Sequence, residues 1–463
     1  MNIYLHVEIS FRELESKLLL AVIAASRGHN VIISDLSILQ RALRGKVLPP
    51  GIFHTKSLTP KNELINRNDQ IIKNDIIITS LDEESGLLDF EYKEFAKARY
   101  SNQTIEQSSA IFCWGEHDTK TLKELYPKYS SKIFKTGSPR FDLWKSKFLE
   151  NWSLPPSAPK KPFLLISSNL HYANFFKPFH NWGGFKSFNF NKNISYFKSN
   201  PELFKKQFNK SSEDTKKFCS FIEAIHYLSD NNDNYDIVLR PHPLENFEAW
   251  KVYLNGLSNV HVIREDSINP WIHNAFAVMH NSCTSAIEAT ISGKEVVTYI
   301  PFHQNYSWGE VPNSLGYRTE TLKDLSIKIN ELFNKFKYSM NKNSKKDNSK
   351  LLLEKIYIDE KELAAEKILN IWEKLAFKNS LDSTNFLKLE FFLKMLKIKN
   401  VLGNICKNFL PGQKIYTKSD YKFPSLELKK IRNIIDKFQT ILNLNKKLEC
   451  KLLYDRTILI KRK

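Results

Sequence analysis

Strand-like and helix-like segments alternate along this chain in two successive runs, and that pattern limits its fold more than anything else in the sequence. In the first run, "NIYLHVEI" is strand-like and "RELESKLLLAVIAASRG" carries apolar residues at helical spacing, with Gly28 as its stop. "NVIISD", "DIIITSLDEESG" and "AIFCWG" read as further strands. A helix from about Glu116 to Tyr126 and the segment "KIFKTGSPRFD" complete the run, and "PPGIF" reads as a rigid turn. "NWSLPPSAPKKP" (151–162) is a linker. The second run comprises "FLLISS", a long loop, a helix near residues 214–229, "DIVLRPHP", "NVHVIR", "AFAVMHN", a helix from about Thr284, and "EVVTYIP". Such alternation predicts an α/β chain with two parallel sheets, each covered on both faces. The expected boundaries are 1–155 for the first domain, 156–378 for the second, and 379–463 for a basic helical extension. The helix "LAAEKILNIWEKLAF" is expected to close the second domain or to cross back to the first. Two domains on a short linker predict a cleft, with ligands at the carboxyl ends of the strands.

A length of 463 residues suits two cores and an extension. No stretch is long and apolar enough for a transmembrane helix, and the start lacks the pattern of a secretion signal. The five cysteines are scattered with no C-x-x-C, which fits structural thiols in a reduced cytoplasmic setting. The net charge of +19 is uneven: residues 381–463 hold 19 Lys/Arg against 7 Asp/Glu, or +12, leaving +7 for the rest. Few aromatic residues interleave with those lysines, so nucleic acid is not the expected partner. "NFLKLEFFLKMLKIKNVLGNI" mixes Leu387, Phe391, Phe392, Met395, Leu396 and Ile398 with Lys388, Lys394, Lys397 and Lys399. That pattern predicts an interfacial helix on an anionic membrane surface, or a helix packed on the second domain with its lysines in water.

The strand ending at Leu239 runs into Arg240, Pro241, His242 and Pro243. The two prolines fix the backbone around His242, so its ring can meet a phosphate at little entropic cost, and Arg240 can add charge. A turn whose histidine merely packs is the equal alternative. Some forty residues on, an apolar strand ends at Met279 and is followed by Asn281, Ser282, Thr284 and Ser285 before a helix. Hydroxyls and free amides at such a place bind anions, and Glu288 one turn later suits ribose hydroxyls. Plain N-capping by Ser282 or Thr284 is the competing account.

Asp82, Glu83 and Glu84 follow an apolar strand in the first domain. Clustered carboxylates raise one another's pKa, which suits a general base, and one of them can instead act as a nucleophile. A solvated acidic turn is the alternative. Glu8 and Arg12, beside Glu13, lie near the same edge and suit substrate contact or ion pairing at the core edge; Arg140 and Asp142 read as a structural pair. Asn169, His171 and Asn174 begin the long loop of the second domain and are expected to face the ligand, while His180 and Trp182 suit stacking on a sugar. The sequence has no D-x-D pair, no ligand-spaced Cys/His cluster, and no G-x-G-x-x-G, P-loop or G-x-S-x-G motif.

Seven stretches between about residues 8 and 300 resemble the bacterial surface carbohydrate biosynthesis proteins, related to the retaining β-Kdo transferases of capsule and O-antigen assembly: "RELESKLLLA", "LPPGIF", "LDEESG", "CWGEHD", "GSPRFD", "LRPHP" and "HNSCTSAIEA". The resemblance implies a GT-B fold of two Rossmann-like domains. It also implies glycosyl transfer from a CMP-activated sugar, of the Kdo type or a related acidic sugar, to a lipid-linked glycan at the inner leaflet. His242–Pro243 and Ser282–Ser285 resemble the CMP-binding motifs of sialyl- and Kdo-transferases. Residues 82–86 resemble their acidic catalytic motif, with Asp82, Glu83 and Glu84 each a candidate. No cofactor and no metal is implied. A UDP-sugar 2-epimerase, a CDP-glycerol transferase and a non-catalytic glycan assembly factor are the alternatives. The segment from Leu381 lies outside the resemblance.

Overall fold

The computed structural model describes residues 1–84, 92–149, 152–171, 173–174, 198–265, 267–304, 309–338, 352, 355–359, 361–381, 384, 386–408 and 422–463. These form two compact units, one of residues 1–149 with 352–463 and one of residues 152–338. Both are built on parallel strands, as the double alternation predicts.

The first unit holds β1 (Asn2–His6), β2 (Asn30–Ser34), β3 (Gly51–Thr55), β4 (Ile76–Leu81), β5 (Ala110–Cys113), β6 (Ile133–Lys135), β13 (Leu448–Tyr454) and β14 (Thr457–Arg462). Their order is β13-β14-β2-β1-β3-β4-β5-β6, parallel from β2 to β6. The helix Ser10–Ser26 buries Leu18 through Ala25. It stops where Gly28 takes φ +91° and donates to Ala25 O, while His29 donates to Ala24 O. That pair of bonds is the glycine C-cap motif.

One expectation fails here and one needs an addition, since the C-terminal extension is helical over Leu387–Asn408 and Leu428–Ile441 but not throughout. "PPGIF" is no mere turn: it leads into β3, an inner strand between β1 and β4. Gly51 opens that strand because a Cβ would lie 2.4 Å from Asn2 O of β1. The expected helical extension contains the antiparallel hairpin β13–β14, and β14 pairs antiparallel with β2. The helix Ala364–Lys378 crosses back instead of closing the second unit. Asp142 accepts the amides of Ala364 and Ala365, both at 2.9 Å, and so holds that helix's first turn. Asp142 also pairs with Lys145 at 3.0 Å, and Arg140, expected as its partner, lies over the Trp114 ring.

The second unit holds β7 (Phe163–Ser167), β8 (Asp236–Arg240), β9 (Val260–Val262), β10 (Ala277–His280), β11 (Glu295–Tyr299) and β12 (Tyr317–Thr319). The order is β12-β11-β10-β7-β8-β9, all parallel. This is the doubly wound order, in which the chain reverses direction of travel between the first and fourth strands, here β7 and β10. The helix Pro201–Asp230 is longer than the sequence signal over 214–229.

Candidate functional site

In the second unit, the segments after β10, β7 and β8 emerge side by side at the switch point, where doubly wound sheets bind ligands. Asn169, after β7, donates from Nδ2 to the carbonyl of Ser282, after β10, at 3.2 Å. The rings of His171 and His242 lie 5.1 Å apart. Asn169, His171, His242 and Ser282 are thus brought together on three neighbouring strand ends.

A residue that sequence reasoning missed builds this corner. Glu245 is fully buried, and its carboxylate accepts Ser168 Oγ at 2.9 Å, Leu170 N at 2.9 Å, His242 N at 3.1 Å and Trp250 Nε1 at 2.7 Å. Burial raises its pKa, and the four donors pull the other way. The His242 ring takes the Leu244 amide on Nδ1 at 3.2 Å, so in the neutral ring the proton sits on Nε2. Arg264 clasps the turn from outside, donating to Pro243 O at 3.0 Å and Glu245 O at 2.9 Å. The only sequence signal for Glu245 is an acid three residues past His242; Arg264 arrives from beyond β9 and has none.

The expected partners divide. Arg240 is buried, donates to Glu265 O at 2.6 Å and lies over the Trp271 ring, so its charge is directed into the packing of β8. Asn174 is buried and exchanges backbone and side-chain bonds with Asn246, fixing the loop. Ser282 sits at φ +56°, a conformation non-glycine residues seldom adopt and one common at functional sites. Asn313 holds it, accepting its amide at 2.7 Å and donating to its Oγ at 2.9 Å. Asn281 donates to Tyr299 O. Thr284 caps the seven-residue helix Ser285–Ile291 without a side-chain bond, so ordinary N-capping by Thr284 is not what is found. Ser285 donates to Cys283 Sγ at 3.1 Å, and Glu288 is buried in the helix's first turn. Below them His280 is buried, with Nε2 on Thr298 and Nδ1 on the Cys283 amide; burial lowers its pKa to about 3. His180 and Trp182 lie outside the described residues.

In the first unit the three acids at the end of β4 have different surroundings. Asp82 is buried and bound by both arms of Arg99, Nε and Nη2, at 2.9 Å each. Glu83 is buried against Lys17 at 2.7 Å. Glu84 is 40% exposed, pairs with Arg99 at 3.0 Å and lines a cavity of about 610 Å³. Burial raises the Asp82 pKa against the pull of Arg99. Glu8 lines the same cavity and is ion-paired with Lys56 and Lys422; burial raises its pKa, but those two ammonium groups hold it far below the usual carboxylate range. Arg12 pairs with Glu13 at 3.0 Å and approaches Glu84 at 4.0 Å. Lys17, Lys56 and Arg99 were not legible as site residues, because each reaches the acids from a different element.

No protein-family model and no curated protein matches the chain. Among solved structures, it is similar to Staphylococcus aureus MnaA solved with UDP, at 12% identity and TM-score 0.46, covering 83% of this chain and 99% of that one. It is similar to the Methanocaldococcus jannaschii UDP-GlcNAc 2-epimerase in complex with UDP-GlcNAc and UDP, at 13% identity and TM-score 0.46, covering 81% and 100%. A glycosyltransferase of Rickettsia africae is similar at 11% identity and TM-score 0.43, covering 81% and 98%.

Proposed function

We propose that this chain is a GT-B glycosyltransferase of cell-surface polysaccharide synthesis. Its second unit holds a nucleotide-activated sugar, CMP-linked and of the acidic Kdo type, and its first unit holds a glycan acceptor. The observation that carries the reading is the switch point of the second unit, where Asn169, His242 and Ser282 meet over the buried Glu245. His242 presents Nε2–H toward the phosphate and stabilises charge developing on the leaving group. Ser282, Thr284 and Ser285 offer hydroxyls and amides to the same phosphate, Asn281 shapes their turn, and Glu288 faces the ribose. In the first unit Glu84 is the carboxylate that acts as base or nucleophile, because Asp82 and Glu83 are buried in ion pairs.

The acceptor in this reading is lipid-linked and the enzyme works against an anionic membrane surface. No helix among the described residues is long and apolar enough to cross a membrane. The helix Leu387–Asn408 supports surface attachment. Its residues Leu389 and Leu393 pack into the first unit's core, whereas Leu387, Phe391, Met395 and Ile398 are exposed at helical spacing along one face, with Lys388, Lys394, Lys397 and Lys399 exposed beside them. Packing against the first unit thus replaces the expected alternative of packing on the second.

Thermal-shift screening against CMP, CDP, UDP and GDP tests the donor, since a ligand bound only by the folded chain raises its melting temperature. CMP is expected to give the largest rise. A response confined to UDP, with free UDP released from a UDP-sugar in the absence of acceptor, would replace transfer by epimerisation.

A further inference from the structure

The cavity of the first unit lies at that sheet's own switch point. The chain leaves β1 for β2 on one side and resumes at β3 on the other, and His6, at the end of β1, and Thr55, at the end of β3, both line the cavity. Five cationic side chains line it, Lys56, Lys61, Arg67, Arg99 and Lys422, against the carboxylates of Glu8, Asp35 and Glu84. Most are matched. Glu8 takes Lys56 and Lys422, Arg99 takes Asp82 and Glu84, and Asp35 lies 3.6 Å from Arg456.

Arg67 is not matched. It is 4% exposed, and its Nε and Nη2 donate to one neutral oxygen, Asn68 Oδ1, at 3.3 and 2.9 Å. It also lies over the Phe53 ring, 5.9 Å from its centroid. Among the described residues no carboxylate pairs with it. Burial alone lowers its pKa, to about 10, so it keeps its charge at neutral pH. A buried guanidinium without a counter-ion is costly to hold in a folded protein, and Arg presents a planar fork matched to carboxylate or phosphate oxygens. His6 beside it is no second charge: burial, and then Lys56, lower its pKa to about 3.

We infer that this cavity is an anion-recognition site, in which Arg67 binds a carboxylate or phosphate carried by a sugar. Naming that sugar as the acceptor rests on the glycosyl-transfer reading; the anion site itself does not. Calorimetric titration of the full chain, with no nucleotide donor present, tests it using glucuronic acid, glucose 6-phosphate and glucose. One or both acids bind and glucose does not, and which acid binds separates the carboxylate from the phosphate source. Arg67→Gln weakens the acid by about 10- to 150-fold, the range for loss of a charge-assisted hydrogen bond. Arg67→Lys, which keeps the charge but not the fork, weakens it less and serves if Arg67→Gln does not fold. The inference is overturned if neither acid binds, if glucose binds as well as the acids, or if the folded Arg67 variants bind like the parent. Such a failure leaves nucleotide binding by the second unit untouched, so the two readings fall separately.

Discussion

Glu245 accepts the backbone N–H of His242 at 3.1 Å while it also binds Ser168, Leu170 and Trp250, so one buried carboxylate ties the His242 turn to the segment leaving β7. The turn that carries the imidazole is therefore set by a fully buried carboxylate.

Two substitutions separate those roles. His242→Ala is expected to weaken CMP binding by about 1.5–3 kcal/mol, or 10- to 150-fold, with an unchanged melting temperature in the absence of ligand. Glu245→Gln is expected to lower that melting temperature as well, because it exchanges an acceptor of four hydrogen bonds for a group with two donors of its own. Calorimetry with CMP and a thermal melt on each variant give the answer; unchanged CMP affinity in His242→Ala would remove the phosphate role.

The three acids should respond differently. Glu84→Gln is expected to abolish sugar transfer with the fold and donor binding intact, because Glu84 is partly exposed and lines the cavity. Asp82→Asn and Glu83→Gln break buried ion pairs with Arg99 and Lys17, which costs about 3–5 kcal/mol of stability. Turnover and melting temperature measured side by side distinguish them. Near-normal turnover in Glu84→Gln would rule out that carboxylate as base or nucleophile.

Membrane attachment is tested by substitution, since cutting the chain after Asn379 would delete β13 and β14 from the first sheet. Phe391→Ser with Met395→Ser is expected to reduce co-sedimentation with anionic vesicles and to leave the core face at Leu389 and Leu393 untouched. Binding by the parent should be weaker to neutral vesicles and should fall at high salt. Equal sedimentation of parent and variant would exclude this face as the anchor.

Acid should destabilise the chain from pH 6.5 downward. His6 and His280 are buried, and both have pKa values lowered to about 3. Between about pH 6.5 and 3 the unfolded chain takes up protons on these rings and the folded chain does not, so stability rises with pH across that window and is lost as pH falls. Each ring contributes about 1.4 kcal/mol per pH unit. Melting temperatures from pH 7 to 5 should decline less steeply in His280→Gln than in the parent; parallel slopes would exclude His280 as a source.

Much of the architecture was legible because apolar runs bounded by Gly, Pro and polar clusters carry a strong signal. The strands leading to Asp82, His242 and Asn281 all end near where the sequence places them. The hairpin β13–β14 was hidden by composition. In "LECKLLYDRTILIKR" the exposed Lys451 and the run of buried Ile458, Leu459 and Ile460 sit among basic residues, so the segment reads as part of a basic helical stretch. β3 was hidden by its two prolines, which mark a turn whether or not a strand follows. At the candidate site, turn residues such as His242 announce themselves locally. Glu245, Arg99 and Lys17 act through partners brought by other elements, and no local pattern records that.

The hairpin also bears on how the protein is made. β2 is separated from β14 by more than four hundred residues of chain, yet β14 covers its outer edge. Until β14 is synthesised, the nascent first unit presents β2, a five-residue apolar strand, as an unpaired margin, the kind of surface that captures strands from other chains. The second unit, continuous from β7 to β12, carries no such delay and can finish folding while the first still waits. Ribosome-bound intermediates of this chain are thus expected to need shielding at one defined margin, and a chaperone footprint over residues 30–34 would be its signature.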